Sequence, residues 1–191
     1  MEEQVKIALL GSHGVGKTTL CYDLAARLKR LDQSVEIVRE VARQCPLPLN
    51  RQTTLAAQQW ILHRQITDEL AAANLADVVL CDRSALDNYA YLVARLGPRQ
   101  ELEPLVADWM RGYDALFKVP ILQAPRYDGT RDLSEEFQVA IDRQIDELLV
   151  HFGSACVRLD PSRRARWPED ILRDVGLGNN PAQFGLFDGP G

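Results

Sequence analysis

A glycine-rich turn between an apolar strand and a helix restricts the fold of this chain more than any other feature. The preceding residues, VKIALL, predict a buried strand, and the following residues, TTLCYDLAARL, predict a helix. The turn matches the pattern G-x-x-x-x-G-K-[ST], whose glycines let backbone N–H groups face inward and surround phosphate oxygens. The predicted nucleotide-binding residues are Gly11, Ser12, His13, Gly14, Val15, Gly16, Lys17, Thr18 and Thr19.

Two side chains of this loop have predicted chemical roles. Lys17 is expected to reach the β- and γ-phosphates as a catalytic cation, and the Thr18 hydroxyl is expected to be a ligand of Mg²⁺. The helix that follows adds the positive end of its dipole. His13 occupies a position at which the pattern accepts almost any residue, so we expect its side chain to face solvent.

Short β-rich segments alternate along the chain with longer segments of helical spacing. Leu20, Leu24 and Leu28 recur on one face of the first of these helices. The alternation predicts an α/β fold, in which a five-stranded parallel sheet is covered by helices on both faces. The predicted strands are Val5–Leu10, Val35–Val38, Asp77–Cys81, Ala115–Val119 and Ala155–Leu159.

A chain of 191 residues is most simply one domain. We predict that residues 1–176 form this domain, with a small lid at about residues 123–136. Asp132 and Glu135 form a plausible capping pair before the helix that contains Phe137. Glycines and prolines are frequent in the last residues, which predicts a flexible C-terminal tail at 177–191.

A carboxylate ends the third predicted strand, VVLCD. Asp82 is a candidate to hold Mg²⁺ or its water ligands, together with Thr18. Hydrolytic ATPases usually place a glutamate directly after this aspartate to activate water, but here Arg83 follows. A fixed guanidinium at this place suits the transferring phosphoryl group or a polar acceptor.

Two further segments carry candidate catalytic residues. Glu40 follows the second strand, where ligands bind in open parallel sheets, and a carboxylate there can accept a proton from an attacking hydroxyl. A surface pair between Glu40 and Arg43, three residues apart, is the alternative. Arg126 and Arg131 flank a Tyr-Asp-Gly turn, so we expect them to close over the phosphates as part of the lid.

Four segments together resemble a known family of P-loop kinases. The segments GSHGVGKTT, VREVAR, CDRSALDNYAYL and YDGTRD are similar to ribosylnicotinamide kinase-like AAA ATPases and to deoxynucleoside kinases. The resemblance implies a P-loop NTPase fold of the nucleoside and nucleotide kinase type. It also implies Glu40 as the catalytic base, Asp82 near Mg²⁺, Arg83 near the reacting oxygen, and Arg126 and Arg131 as lid arginines.

The acceptor site is expected beneath the helix predicted at residues 54–75, which connects the second and third strands. Gln58 and Gln65 share a face of this helix, and their amides are candidates to read the edge of a nucleobase. No Asn-Lys-x-Asp motif for guanine follows a late strand, so ATP is favoured over GTP as the nucleotide.

Charge and composition exclude some partners. A net charge of −5 with interspersed acidic and basic residues argues against broad binding to nucleic acid. The four cysteines show no metal-binding spacing, which is typical of a reduced, cytoplasmic protein, and no apolar run is long enough for a membrane span. A homodimer is compatible with the sequence.

The motifs favour an ATP-dependent phosphotransferase, with ATP and Mg²⁺ as cofactors. The predicted acceptor is a hydroxyl or a phosphate of a nucleoside, a nucleotide or a similar small molecule. Two alternatives stay open from the sequence. One is a regulatory switch that binds ATP or GTP and hydrolyses it slowly, and the other is a kinase of nucleic-acid 5′ ends.

Overall fold

Five short strands alternate with helices in this computed structural model, which describes residues 4–49, 52–122 and 134–178. The strands are β1 (Val5–Leu10), β2 (Val35–Val38), β3 (Val78–Asp82), β4 (Ala115–Lys118) and β5 (Val157–Arg158). The α-helices are α1 (Lys17–Arg30), α2 (Leu55–Ala73), α3 (Ala85–Leu96), α4 (Glu103–Met110), α5 (Glu135–His151) and α6 (Trp167–Asp174). Short 3₁₀ helices cover Val41–Gln44 and Pro161–Arg166.

The strands form one parallel sheet in the order β2-β3-β1-β4-β5. This confirms the predicted five-stranded parallel sheet, and each predicted strand lies within two residues of its observed bounds. The central strand β1 places Leu9 opposite Asp82 of β3. Because parallel strands end at the same edge of the sheet, the turn after β1 lies beside the ends of β3 and β2.

Helices cover both faces of the sheet, as the sequence predicted. On one face α1 and α6 pack against β1, and Leu20, Leu24 and Leu28 of α1 are buried there. On the other face, helices α2 to α5 bury residues such as Leu62 and Ile141. The near-continuous apolar sequences of β1 and β3 follow from this, since both sides of these strands face a helix layer.

The start of α5 differs from the sequence prediction. Ser134 is the N-cap, and its side chain accepts a hydrogen bond from the backbone N–H of Phe137. A serine hydroxyl directly before the first helical turn reaches that N–H, and Glu135 already belongs to the helix. The predicted lid therefore overlaps α5 in its last two residues.

Several predictions fall outside the described residues. Residues 123–133 of the predicted lid, with Arg126 and Arg131, and residues 179–191 of the predicted tail are among them, and the predictions for these residues stay predictions. Leu177, the first residue of the predicted tail, packs against the core beside α6. The four cysteines are free, and within the described ranges no helix has the length and apolar character of a membrane span.

Candidate active site

Two glycines shape the loop between β1 and α1 through their backbone angles. Gly11 has a φ of +139°, and a Cβ added there would lie 2.7 Å from the carbonyl oxygen of Val119. Gly16 has a φ of +95° and directly precedes the first residue of α1. Residues with a Cβ rarely adopt such angles, so the glycines of the pattern are required by the backbone.

Lys17 is buried at the base of this loop, with 5% of its surface exposed. Its Nζ donates hydrogen bonds to the carbonyl oxygens of Gly11 and Ser12, each at 2.6 Å. Burial, with the nearby positive charge of Arg83, lowers the pKa of Lys17 to about 8. The lysine therefore titrates near neutral pH, and a bound anion would favour its charged form.

Thr18 and Asp82 meet across the gap between α1 and the end of β3. The Thr18 hydroxyl donates a hydrogen bond to Oδ2 of Asp82, whose side chain is buried. A hydroxyl oxygen beside a carboxylate oxygen fits a Mg²⁺ ion, which is held in such sites by one or two protein oxygens and by phosphate oxygens. The described part of the chain contains no cluster of three metal-binding side chains.

Arg83 directly follows β3 and adopts a φ of +96°, which is unusual for a residue other than glycine. Its Nε and one terminal nitrogen donate to Oε1 of Glu40 at 3.0 and 2.9 Å. The guanidinium also lies over the ring of Tyr91, 4.8 Å from its centroid. Its other terminal nitrogen, Nη1, is buried and has no hydrogen-bond partner among the described residues.

The surroundings of Arg83 stabilise its positive charge. Burial acts against the charged guanidinium, but Tyr91, Glu40, Asp87 and Asp82 together more than offset it and keep the pKa of Arg83 well above its usual value. The site therefore presents a permanent cation.

Glu40 lies between two arginines just beyond β2. Its Oε2 accepts a hydrogen bond from Nε of Arg43 at 2.9 Å, while Oε1 faces Arg83. The predicted pair between Glu40 and Arg43 is thus present, but Glu40 is only 7% exposed and reaches into the site.

One cavity of about 220 Å³ joins these residues. It is lined by residues 14–19 and by Glu40, Arg43, Asp82 and Arg83. The structure therefore brings together the predicted loop, the predicted metal ligands, the predicted base and the predicted arginine. The cavity is lined by both signs of charge, which suits the binding of a phosphate that reacts with a neutral or polar group.

The prediction for His13 was wrong. The side chain is 3% exposed and stacks on Phe137 at a centroid distance of 6.0 Å, and its Nδ1 lies 3.1 Å from the hydroxyl of Tyr91. The reason is that α3 and α5 both cover the loop. Gln138 of α5 also donates to the His13 carbonyl oxygen at 2.8 Å.

Asp87 supports the loop and was not predicted to do so. Its Oδ1 accepts from the backbone N–H of Gly11 at 2.9 Å, and its Oδ2 accepts from the backbone N–H and the hydroxyl of Ser84. The spacing Ser84-x-x-Asp87 indicates a capping box in the sequence, and the structure contains one. Nothing in that local pattern indicates the second contact, to a residue 76 positions earlier.

Gln65 does not face a ligand site, contrary to the prediction that its amide reads the edge of a nucleobase. The side chain is fully buried, and its Nε2 donates to Oε1 of Glu69 at 2.8 Å and to the carbonyl oxygen of Arg83 at 3.2 Å. Gln58 is also buried and donates to the Thr53 hydroxyl at 2.8 Å. Helical periodicity identified the shared face, but that face packs against protein.

Solved kinases of nucleosides and nucleotides share this fold. NadR protein in complex with NR has a TM-score of 0.77 and 19% identity over 95% of this chain and 54% of that chain. Deoxyadenosine kinase from M. mycoides with bound dATP has a TM-score of 0.64 and 16% identity, covering 91% of this chain and all of its own. Thymidylate kinase from Candida albicans has a TM-score of 0.65 and 13% identity, with 93% and 94% covered.

The match to NadR leaves nearly half of that longer chain uncovered, so this chain spans about half the length of NadR. At sequence level, a family model described as an AAA domain matches residues 6–166. The match extends from β1 to the 3₁₀ helix before α6 and includes every site residue discussed above. No curated protein matches the sequence significantly.

Proposed function

The chain belongs to the AAA-domain family, and we propose that it is a P-loop kinase that transfers the γ-phosphate of ATP to a nucleoside-like acceptor. The observation that carries this proposal is the cavity in which the loop at residues 14–19 faces Glu40 and Arg83. A protein that only holds a nucleotide does not need a buried carboxylate and a buried arginine opposite its γ-phosphate position.

The loop supplies the donor side of the reaction. Backbone N–H groups and Lys17 bind the phosphate oxygens, and the amino terminus of α1 adds its dipole. Thr18 and Asp82 would hold Mg²⁺, which neutralises charge on the β- and γ-phosphates when it is bound. Phosphoryl transfer depends mostly on positioning and on charge stabilisation, and these residues provide both.

Glu40 supplies the acceptor side. A hydroxyl oxygen of the acceptor forms the new bond to the γ-phosphorus, and the bond from that phosphorus to the β,γ-bridging oxygen breaks. The hydroxyl proton passes to the carboxylate of Glu40. Arg83 donates to Glu40, and its fixed positive charge would stabilise negative charge on the transferring group.

Chemistry and the solved structures of the same fold support a nucleoside-like acceptor. A carboxylate base is useful for a neutral hydroxyl, and its negative charge repels an acceptor phosphate. Solved structures of the same fold carry NR or dATP, and one is a thymidylate kinase. We therefore place nucleosides first among the acceptors to be tested, with nucleoside monophosphates second.

The test is a transfer assay with γ-labelled ATP and Mg²⁺ against nucleosides, nucleoside monophosphates and a short 5′-hydroxyl oligonucleotide. We expect a labelled nucleoside product, and we expect its loss in Lys17→Ala and in Glu40→Gln. Glu36→Gln is the matched control, because Glu36 lies on β2 shortly before Glu40 and its side chain is exposed.

Two results would overturn the proposal. Label that appears only as inorganic phosphate with every acceptor would indicate a slow hydrolase or switch. Label found only on the oligonucleotide would indicate a kinase of nucleic-acid ends. If Glu36→Gln lowers transfer as much as Glu40→Gln does, the loss would not report on the site.

A further inference from the structure

Two buried polar side chains of helix α2 form a hydrogen-bond network that the proposed reaction does not use. Gln65 and Glu69, one turn apart, are 0% and 1% exposed. Neither side chain lines the cavity at the loop. Burial of an amide and a carboxylate is costly unless both are fully hydrogen-bonded. Their partners therefore indicate what this hydrogen-bond network stabilises.

At one end of this hydrogen-bond network is the backbone of Arg83. The φ of +96° is strained for a residue with a side chain, and such angles persist only where the surroundings hold them. The Arg83 carbonyl oxygen accepts from Nε2 of Gln65 at 3.2 Å, and the Arg83 N–H donates to the Leu9 carbonyl oxygen at 3.2 Å. The residue is therefore held on both sides of its Cα.

At the other end of the network, Glu69 orients the Gln65 amide. Its Nε2 donates to Oε1 of Glu69 at 2.8 Å, and its Oε1 lies 3.4 Å from the amide nitrogen of Asn88. An ionised carboxylate only accepts hydrogen bonds, so Glu69 requires the amide nitrogen, not the oxygen, on its side. That orientation also directs the nitrogen to the Arg83 carbonyl.

Glu69 is itself held by three donors from other elements. The hydroxyl of Tyr113 donates at 2.6 Å, the indole N–H of Trp109 at 2.7 Å, and Nζ of Lys6 at 3.2 Å. The amino-terminal half of β1 and the segment before β4 therefore converge on one carboxylate. Through Gln65, these contacts extend to Arg83, the single residue between β3 and the Ser84 cap of α3.

We propose that Gln65 is a positioning residue for phosphoryl transfer, which acts by holding the strained backbone of Arg83 so that the guanidinium stays on Glu40 at the cavity wall. Gln65 does not touch the substrate, and its effect passes through Arg83. The inference rests on the proposed kinase function, since it concerns the turnover of that same site.

The experiment compares Gln65→Met with Tyr89→Phe. Tyr89 is equally buried, and its hydroxyl bonds Glu103 and the backbone of Arg99 rather than Arg83. We expect kcat of Gln65→Met to fall about 10- to 100-fold, because small misplacements of a catalytic group have effects of that size. The Kd for ATP should stay within about twofold, and Tyr89→Phe should leave kcat unchanged.

A second readout does not depend on catalysis. The Nε–H of Arg83 donates to Glu40, so its ¹⁵N-detected hydrogen exchange is expected to be slow in the wild type. The signal is identified by its loss in Arg83→Lys. We expect Gln65→Met to accelerate this exchange while Tyr89→Phe does not. Glu69→Gln, which keeps the side-chain size, should accelerate it to a smaller extent and is the substitute if Gln65→Met does not fold.

The two proposals fail in different ways. If the wild type phosphorylates no acceptor, the kinase function is lost, but the exchange of the Arg83 Nε–H still tests the positioning role. If the wild type is active and Gln65→Met keeps both wild-type kcat and slow Arg83 exchange, the positioning role is overturned. A fall in kcat that Tyr89→Phe reproduces would also overturn it, because a general loss of stability would then explain the effect.

Discussion

The two halves of the candidate site are built in opposite ways. The donor half is one continuous stretch, residues 11–18, whose binding groups are mostly backbone N–H groups. The acceptor half combines Glu40, which follows β2, with Arg83, which follows β3, and Gln65 of α2 supports it. A local motif can thus encode half of such a site, whereas the other half depends on side chains that only the fold brings together.

The charges of the two halves also differ in how they are held. Lys17 donates to two neutral carbonyl oxygens, and burial lowers its pKa to about 8. Arg83 is as deeply buried but lies against Glu40, and its pKa is well above the usual value. The donor half therefore has a titrating cation, and the acceptor half has a permanent one.

Glu40→Gln should produce the largest change and should separate the halves. The amide cannot take the acceptor proton, so we expect kcat to fall about 10²- to 10⁴-fold, while ATP affinity stays close to that of the wild type. Steady-state kinetics with a separate measurement of nucleotide binding would check this. Equal losses in binding and in turnover would show that the two halves are not separable.

Gly11→Ala should break the donor half alone. The new Cβ would lie 2.7 Å from the Val119 carbonyl oxygen, at a φ of +139° that alanine avoids. We expect a loss of about 1–3 kcal/mol in the free energy of unfolding and a loss of nucleotide affinity of about 100-fold. Denaturant unfolding and calorimetric titration with ATP measure the two effects. Gly153→Ala, which has open space around the new Cβ, is the matched control for a positive φ.

Asp87→Asn tests the contact between the halves, since Asp87 caps α3 beside Arg83 and also holds the N–H of Gly11. The amide presents one acceptor oxygen where the carboxylate offers two, so one of its donors loses its partner. We expect a loss of about 1–3 kcal/mol in stability and about tenfold in ATP affinity. Asp108→Asn, at an exposed ion pair with Arg111, should change neither quantity. An unchanged affinity in Asp87→Asn would show that the contact does not shape the loop.

The smallest predicted effect is the pH dependence of nucleotide binding. Below a pKa of about 8 the free protein carries charged Lys17, and above it the lysine is neutral and must take up a proton to bind phosphate. Affinity should therefore fall about threefold between roughly pH 7.5 and 8.5. Titrations in two buffers of different ionisation enthalpy would detect the proton uptake. If Lys17→Arg shows the same pH dependence, another group is responsible.

Much of the fold could be predicted because its signals are local. The strand and helix patterns, the loop and the proximity of Thr18 to Asp82 all follow from spacing within single segments or from the common edge of a parallel sheet. The burial of His13 and the contacts of Gln65 could not be predicted, because they depend on which faces of α2, α3 and α5 cover the site. Helical periodicity shows that a face is buried but does not show against what.

The hydrogen bond from Gln138 to the carbonyl oxygen of His13 has a consequence for how the protein is made. It joins residues 125 positions apart, and Asp87 holds Gly11 across 76 positions. The nucleotide loop therefore leaves the ribosome early but gains its last support only when α5 has been synthesised. At bacterial or eukaryotic elongation rates the interval is roughly 6 to 25 s. Until β3 has been synthesised, β1 has no partner strand and its apolar residues are exposed, so the early nascent chain is the form most prone to aggregation.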